Sequence, residues 1–166
     1  EEVETMLDIG EEEGAIEEDE KEMMMGVLKL DEIRVRNVMT PKDAMVCIDV
    51  NQSVDDAVEL IKRTGFSRIP VFERTEDNIV GILYAKDLLA NRDRGETSIR
   101  KLMKPPYLIP DTKRVDDLLK EFQRGRFHIA IVVDNQGKTE GLVCLEDLLE
   151  VIVGSIYDEY DVISRG

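Results

Sequence analysis

One stretch of this sequence occurs twice, and that duplication limits the possible folds more than any other feature. The first copy runs Gly65-Phe66-Ser67-Arg68-Ile69-Pro70-Val71-Phe72 and, after a polar gap, Gly81-Ile82-Leu83-Tyr84-Ala85-Lys86-Asp87-Leu88-Leu89. The second runs Gly125-Arg126-Phe127-His128-Ile129-Ala130-Ile131-Val132-Val133, then Gly141-Leu142-Val143-Cys144-Leu145-Glu146-Asp147-Leu148-Leu149. Gly81 answers to Gly141 and Asp87 to Asp147, each pair 60 residues apart. Upstream, Val54-Asp55-Asp56 matches Val115-Asp116-Asp117, and Val35-Arg36-Asn37-Val38-Met39 matches Ile99-Arg100-Lys101-Leu102-Met103. Self-similarity at a spacing of 60 to 64 residues marks a repeated supersecondary unit. Each copy reads as approach strand, helix, strand, strand, helix. Two copies with no further partner predict a closed pseudo-symmetric pair, not an open solenoid. The expected class is α/β (α+β), each motif a small sheet with two helices.

Local signals support that reading. Ser53 is a good N-cap, with Asp55 and Asp56 in the first turn, where the helix dipole favours acids. Val54, Ala57, Val58 and Ile61 then follow the i, i+3, i+4, i+7 stripe of an amphipathic helix over 53–64. Val115, Leu118, Leu119 and Phe122 repeat it, and Gly65 and Gly125 follow the two helices at C-cap positions. Pro41 pushes Thr40 toward extended backbone, so a helix should end near Met39. Pro70 confines its strand to a sheet edge or a strand end. Turns are expected at Glu76-Asp77-Asn78 and at Asp134-Asn135-Gln136-Gly137, with the following strands from Ile79 to Tyr84 and from Glu140 to Leu145. Asp87 and Asp147 each open a closing helix. There a carboxylate can cap the helix, or it can point at the C-terminal edge of the sheet, where a ribose can be held.

The charge is uneven. The chain of 166 residues carries a net charge of -15, and residues 1–32 hold fourteen acids against Lys21 and Lys29, or -12. This lead-in reads as two acidic helices broken near Gly10 and Gly14, with Met23, Met24, Val27 and Leu28 as a docking stripe. Its dense carboxylates form a solvated face or a surface that concentrates divalent cations such as magnesium. No segment offers a basic face for phosphate contacts, so nucleic acid is not an expected partner. No apolar run approaches a membrane span, and no secretory signal opens the chain. The chain begins Glu1-Glu2 without an initiator Met and is expected to be a piece of a longer one. Cys47 and Cys144 have neither metal-type nor disulfide-framework spacing. There is no Gly-rich phosphate loop and no nucleophile beside a base, so an enzyme is not expected and no catalytic or metal-ligating residues are assigned. The expected division is 1–32 acidic lead-in, 33–92 first motif, 93–160 second motif and 161–166 tail.

The repeated residues resemble a tandem pair of cystathionine-beta-synthase (CBS) domains over roughly 33–155. Val38-Met39-Thr40-Pro41, Phe66-Ser67-Arg68-Ile69-Pro70-Val71 and Gly141-Leu142-Val143-Cys144-Leu145-Glu146-Asp147, behind the acidic lead-in, are similar to the CorC / cyclin M branch of magnesium and divalent-cation transport proteins. That resemblance implies a regulatory module at the cytoplasmic face of a cell membrane. It further implies a homodimer of CBS pairs, coupled to a transmembrane domain of the same full-length chain. It implies an adenine nucleotide (ATP, ADP or AMP, with Mg2+) in a cleft between motifs. Carried over to this sequence, the cleft would be lined by Thr40, Phe66, Ser67, Arg68, Ile69 and Pro70 of the first copy and by Arg126, His128, Cys144, Glu146 and Asp147 of the second. Asp147 would accept both ribose hydroxyls. Thr40 and the backbone near Ile69 would meet the adenine edge, Phe66 or Ile69 its face, and Arg68, Arg126 and Lys42 the phosphates. A mirror cleft would use Tyr84, Lys86, Asp87, Pro106, Tyr107, Phe127 and His128, with Lys104 where Thr40 stands and Ile131 where Pro70 stands. It is expected to be weaker or empty. The alternative is a nucleotide-free dimerisation or interaction module.

Overall fold

The computed structural model describes residues 32–151, together with 14, 18, 20, 21, 153 and 154. The two expected lead-in helices and the tail therefore lie almost wholly outside the described residues. Gly14 has φ 75, and residues 18, 20 and 21 are helical. The strands are β1 (Thr40–Pro41), β2 (Ile48–Asp49), β3 (Arg68–Glu73), β4 (Thr75–Tyr84), β5 (Leu108–Pro110), β6 (Ile129–Val133) and β7 (Thr139–Cys144). The helices are α1 (Val54–Thr64), α2 (Ala85–Asn91), α3 (Ile99–Leu102) and α4 (Val115–Gly125), with 3-10 turns at Val35–Asn37 and Lys42–Ala44. The chain is helical again over 145–151. Each copy thus closes with strand, strand, helix, as its sequence repeats.

By contacts the described chain falls into two compact units, which do not coincide with the two copies. Residues 39–111 and 129–143 form one, here the sheet unit; 32–38, 112–128 and 144–151 belong to the other, the helix unit.

The sheet unit holds both sheets, ordered β1-β7-β6-β5 and β2-β3-β4. β5 and β6 are parallel, and four of the five residues of β6 are buried, as expected of an inner strand. β7 instead alternates buried and half-buried positions. The core gathers Ile48, Val50, Ala57, Val58, Ile69, Val71, Leu83, Leu88 and Ile99. Each valine, leucine and isoleucine among them contributes on the order of 1.5–3 kcal/mol relative to exposure, which makes apolar burial the main force holding the unit together. Helix α1 forms as its sequence indicates. Ser53 Oγ accepts the Asp56 N–H at 3.0 Å and Asp56 Oδ2 accepts the Ser53 N–H at 3.2 Å, a reciprocal capping box with Asp in the acidic position. Gly65 ends the helix at φ 75, donating its N–H to the Ile61 carbonyl at 2.7 Å.

Two expectations of the sheet unit are corrected. The turn after β3 starts earlier than Glu76-Asp77-Asn78: Arg74 takes φ 72 and β4 already starts at Thr75, while Glu76-Asp77-Asn78 form a bulge between the Glu73–Thr75 and Phe72–Ile79 pairs. And β3, which carries Pro70, is the middle strand of its sheet, not an edge. The proline is tolerated for a local reason. Ile82 exchanges both its backbone hydrogen bonds with Lys104, at 2.8 and 2.9 Å, so the facing pair Pro70 and Ile82 is a non-hydrogen-bonded one. Pro70 owes β4 no N–H, and β2 is in register with β3 only at Val71 and Phe72.

In the helix unit, Val35, Val115, Leu118, Phe122 and Leu148 are buried. The Val35–Asn37 turn is tied to the start of α4 by Val35 N–H to the Lys113 carbonyl at 2.8 Å and Val115 N–H to the Ile33 carbonyl at 3.0 Å. The helix expected to end near Met39 is this single turn. α4 corrects the second C-cap: Gly125 is its last helical residue, and the left-handed position belongs to Arg126, φ 54. The two eleven-residue helices and their caps share one offset of 61 residues, 54 to 115 and 65 to 126. Gly125 serves another purpose. A Cβ there would lie 1.9 Å from the Phe127 ring, which packs edge-on against Phe122 with centroids 5.6 Å apart.

Candidate functional site

The residues assigned from the first copy all lie in the sheet unit. Thr40 is half-buried on β1, antiparallel to β7 and opposite Leu142, with Pro41 opposite Gly141. The backbones approach so closely that a Cβ on Gly141 would stand 2.3 Å from the Thr40 carbonyl oxygen and 3.0 Å from Met39 Sδ. The other copy builds the same junction. Lys104 bridges antiparallel to Ile82, and a Cβ on Gly81 would stand 2.5 Å from Met103 Sδ. Each approach segment therefore docks on the glycine strand of the other copy, an exchange that no single copy announces.

Phe66, Ser67, Arg68, Ile69 and Pro70 run from the end of α1 into β3. Phe66 is 49% exposed and Ser67 is exposed, its carbonyl accepting the Ala85 N–H at 2.9 Å. Arg68 is half-buried opposite Tyr84. Ile69 is fully buried in the core opposite Leu83, its side chain packed inward. Its peptide groups are committed as well. The alternation fixed by the Pro70–Ile82 pair makes Ile69–Leu83 a hydrogen-bonded pair, so the backbone that turns away from β4 is that of Arg68 and Pro70. Of the two aromatic-face assignments, only the exposed ring of Phe66 has surface to offer. Lys42, assigned to phosphate, is ion-paired to Asp77, whose hydrogen bond holds the lysine pKa above its ordinary value.

The residues assigned from the second copy lie in the helix unit. The His128 carbonyl accepts the Leu145 N–H at 2.9 Å, the counterpart of the Ser67–Ala85 bond one copy earlier. Cys144 ends β7 and donates its N–H to Asp147 Oδ2 at 2.9 Å. This is the return half of a capping box: a carboxylate on the third helical residue reaching back to the residue before the helix. It fixes the orientation of Asp147 and engages one of its two oxygens. Cys144 and Asp147 are half-buried; Arg126, His128 and Glu146 are exposed.

Arg126 stands out because a non-glycine residue in left-handed backbone costs about 1–2 kcal/mol. The equivalent position of the first copy is glycine. Strain of this kind persists where a side chain is wanted for something other than stability. Replacing Arg126 with Gly should raise stability by about 0.5–1 kcal/mol, the relief less the entropy that glycine loses on folding. Urea unfolding should show Arg126→Gly above wild type and Arg126→Ala no better than wild type.

Cys47 is a poor candidate for chemistry, since burial, aided by the charge of Glu76, pushes its thiol up to about 12. A thiol held there stays protonated and unreactive near neutrality. Among the described residues there is no group of three His, Cys, Asp or Glu side chains that could hold a metal ion, and no helix is long and apolar enough to cross a membrane.

Comparison with known proteins gives the arrangement a family. The CBS domain family matches residues 35–93 and 99–154. The magnesium and cobalt efflux protein CorC of Salmonella typhimurium is 43% identical over 148 residues, covering 88% of this chain and 51% of that protein. The chain therefore spans about half the length of the curated relatives it matches. The solved CBS domain of the bacterial CNNM/CorC family Mg2+ transporter is 42% identical, with TM-score 0.84, covering 92% of this chain and 94% of that one. A structure of that domain in complex with ATP is also 42% identical, with TM-score 0.76, covering 81% and 97%. The duplicated strand–helix units, the exchanged glycine-strand junctions and these matches agree: the chain belongs to the CBS domain family, as a tandem pair of the kind carried by CNNM/CorC Mg2+ transporters.

Proposed function

We propose that this chain is the regulatory, non-catalytic CBS pair of a divalent-cation transporter and that it binds an adenine nucleotide, ATP together with magnesium. The observation that carries the reading is the junction at 144–147. There a carboxylate is oriented by its own backbone at the end of a strand, in a chain whose 42%-identical relative was solved with ATP. In this reading Asp147 holds the ribose, Thr40 the adenine edge and Phe66 its face, while Arg126 and Arg68 meet the phosphates as charge-assisted donors. Ser67, Pro70, His128, Cys144 and Glu146 shape the walls. Ile69 contributes only by fixing β3. Magnesium would be carried largely by the phosphates, since the described residues offer it no cage. It would also offset repulsion between the phosphates and the lead-in, whose formal charge is -12.

The lead-in would connect the pair to a transmembrane domain of the same full-length chain, placing the module at the cytoplasmic face. A nucleotide that binds one geometry of the pair better than another shifts the population toward it, and that shift is what a membrane domain would sense. Titration calorimetry with ATP, with and without magnesium, tests the reading. Heat from a saturable site that tightens with magnesium is expected; no heat in either condition would remove it.

One observation favours a second reading, an interaction module. Leu89 is 61% exposed and Leu149 is 47% exposed, at equivalent positions of the two closing helices. Apolar groups so placed suit self-association of CBS pairs into a homodimer, with or without nucleotide.

A further inference from the structure

The two exchanged junctions share their backbone and differ in one side chain. Thr40 lies opposite the glycine strand that leads to Asp147, and Lys104 lies opposite the glycine strand that leads to Asp87. At the second junction Lys104 Nζ stands 3.7 Å from Asp87 Oδ2 and 5.4 Å from the centre of the Tyr84 ring, while Lys86 Nζ lies 5.8 Å from the same ring. Asp87 Oδ2 is buried and accepts no hydrogen bond among the described residues; the Lys104 ammonium answers its charge there at a distance too long for a hydrogen bond. A buried carboxylate oxygen in this state is strongly disposed to take a donor.

We propose that Lys104 is the residue that closes this second half-site to nucleotide: its ammonium takes the place that a ribose hydroxyl would take on Asp87. The inference rests on the nucleotide reading above, since it concerns the counterpart of the same site. A nucleotide entering here must displace the ammonium from both Asp87 and the Tyr84 face. At the first junction it meets a threonine hydroxyl, which can itself bond a base edge. Lys104 thus sets the stoichiometry at one nucleotide per chain.

The test is calorimetry of ATP with magnesium on the 166-residue chain, on Lys104→Thr and, should that variant fold poorly, on Lys104→Ala, each also combined with Asp147→Ala to silence the first site. Wild type should bind one nucleotide and Lys104→Thr two. The Asp147→Ala/Lys104→Thr double variant should keep one site that disappears when Asp87→Ala is added. One site in wild type and one in both Lys104 variants, with none left in the Asp147→Ala combinations, would overturn the inference while leaving the nucleotide reading intact. Two sites in wild type would overturn it as well. If wild type binds nothing, the nucleotide reading falls, and the Lys104 variants still decide: a site gained supports the inference and none gained ends it.

Discussion

Asp147→Asn should lose nucleotide binding while keeping most of the protein's stability, and Asp147→Ala should lose binding together with a further measurable part of that stability. The carboxylate has two roles, and the variants separate them. As a cap, Oδ2 accepts the Cys144 N–H at 2.9 Å, which an asparagine carbonyl can still do. Loss of that acceptor in the alanine variant is expected to cost about 0.5–2 kcal/mol in urea unfolding. Asparagine gives up only the charge near the helix N-terminus, about 0.3–1 kcal/mol. As a ribose ligand, the side chain must accept from two hydroxyls with a full negative charge, and neither replacement can. Charge-assisted bonds are worth about 1.5–3 kcal/mol each, so either variant should weaken ATP by roughly 100-fold or more in calorimetry. Should the asparagine variant bind ATP like wild type, Asp147 is only a cap and the ribose assignment is wrong.

Much of this fold is legible in the residues because local and global signals coincide. The Ser53–Asp56 box, the apolar stripe of α1 and Gly65 all specify one helix with one end, and the structure builds it within a residue. The Asp134-Asn135-Gln136-Gly137 turn is equally local: Asp134 Oδ1 accepts from Gln136 and Lys138, and Gly137 takes φ 81. The misplacements arise where a distant partner decides. Pro70 indicates an edge, yet Ile82 spends its hydrogen bonds on Lys104, far off in sequence, and so excuses a proline in a middle strand. Arg74 does not advertise a hairpin, because an arginine at φ 72 is held there by the pairing of β3 with β4 on either side. Gly125 looks like a cap because Gly65 is one, but its lack of a side chain serves Phe127.

The candidate site divides in the same way. Asp147 could be picked out by its repeat position, and the aromatic exposed at Phe66 follows from its place after the helix cap. That Ile69 faces the core cannot be read from a strand whose neighbours Pro70 and Val71 are as apolar as itself; only the register with Leu83 determines it. Lys104 stands in sequence as a mere substitute for Thr40. Its role as the charge beside Asp87 depends on the exchanged junction, which brings residues of opposite copies together.

That junction makes a second large prediction. Gly141→Ala should destabilise the protein more than Gly81→Ala, although the two glycines occupy equivalent positions of the repeat. At Gly81 the new methyl would meet Met103, with Sδ at 2.5 Å and Cγ at 2.8 Å, the adaptable end of an unbranched side chain. At Gly141 it would meet the Thr40 carbonyl oxygen at 2.3 Å, which is backbone and cannot move without parting β1 from β7. Overpacking of a tight contact costs about 1–3 kcal/mol, and Gly141→Ala should sit at or above the top of that range with Gly81→Ala near the bottom. Urea midpoints at an unchanged slope measure the difference. The functional effect should follow the same order: displacing β1 carries Thr40 with it, so nucleotide affinity should fall in Gly141→Ala by more than in Gly81→Ala. Equal destabilisation by the two alanines would mean that β1 yields as easily as a methionine side chain. Thr40 would then be too loosely held to read a base edge.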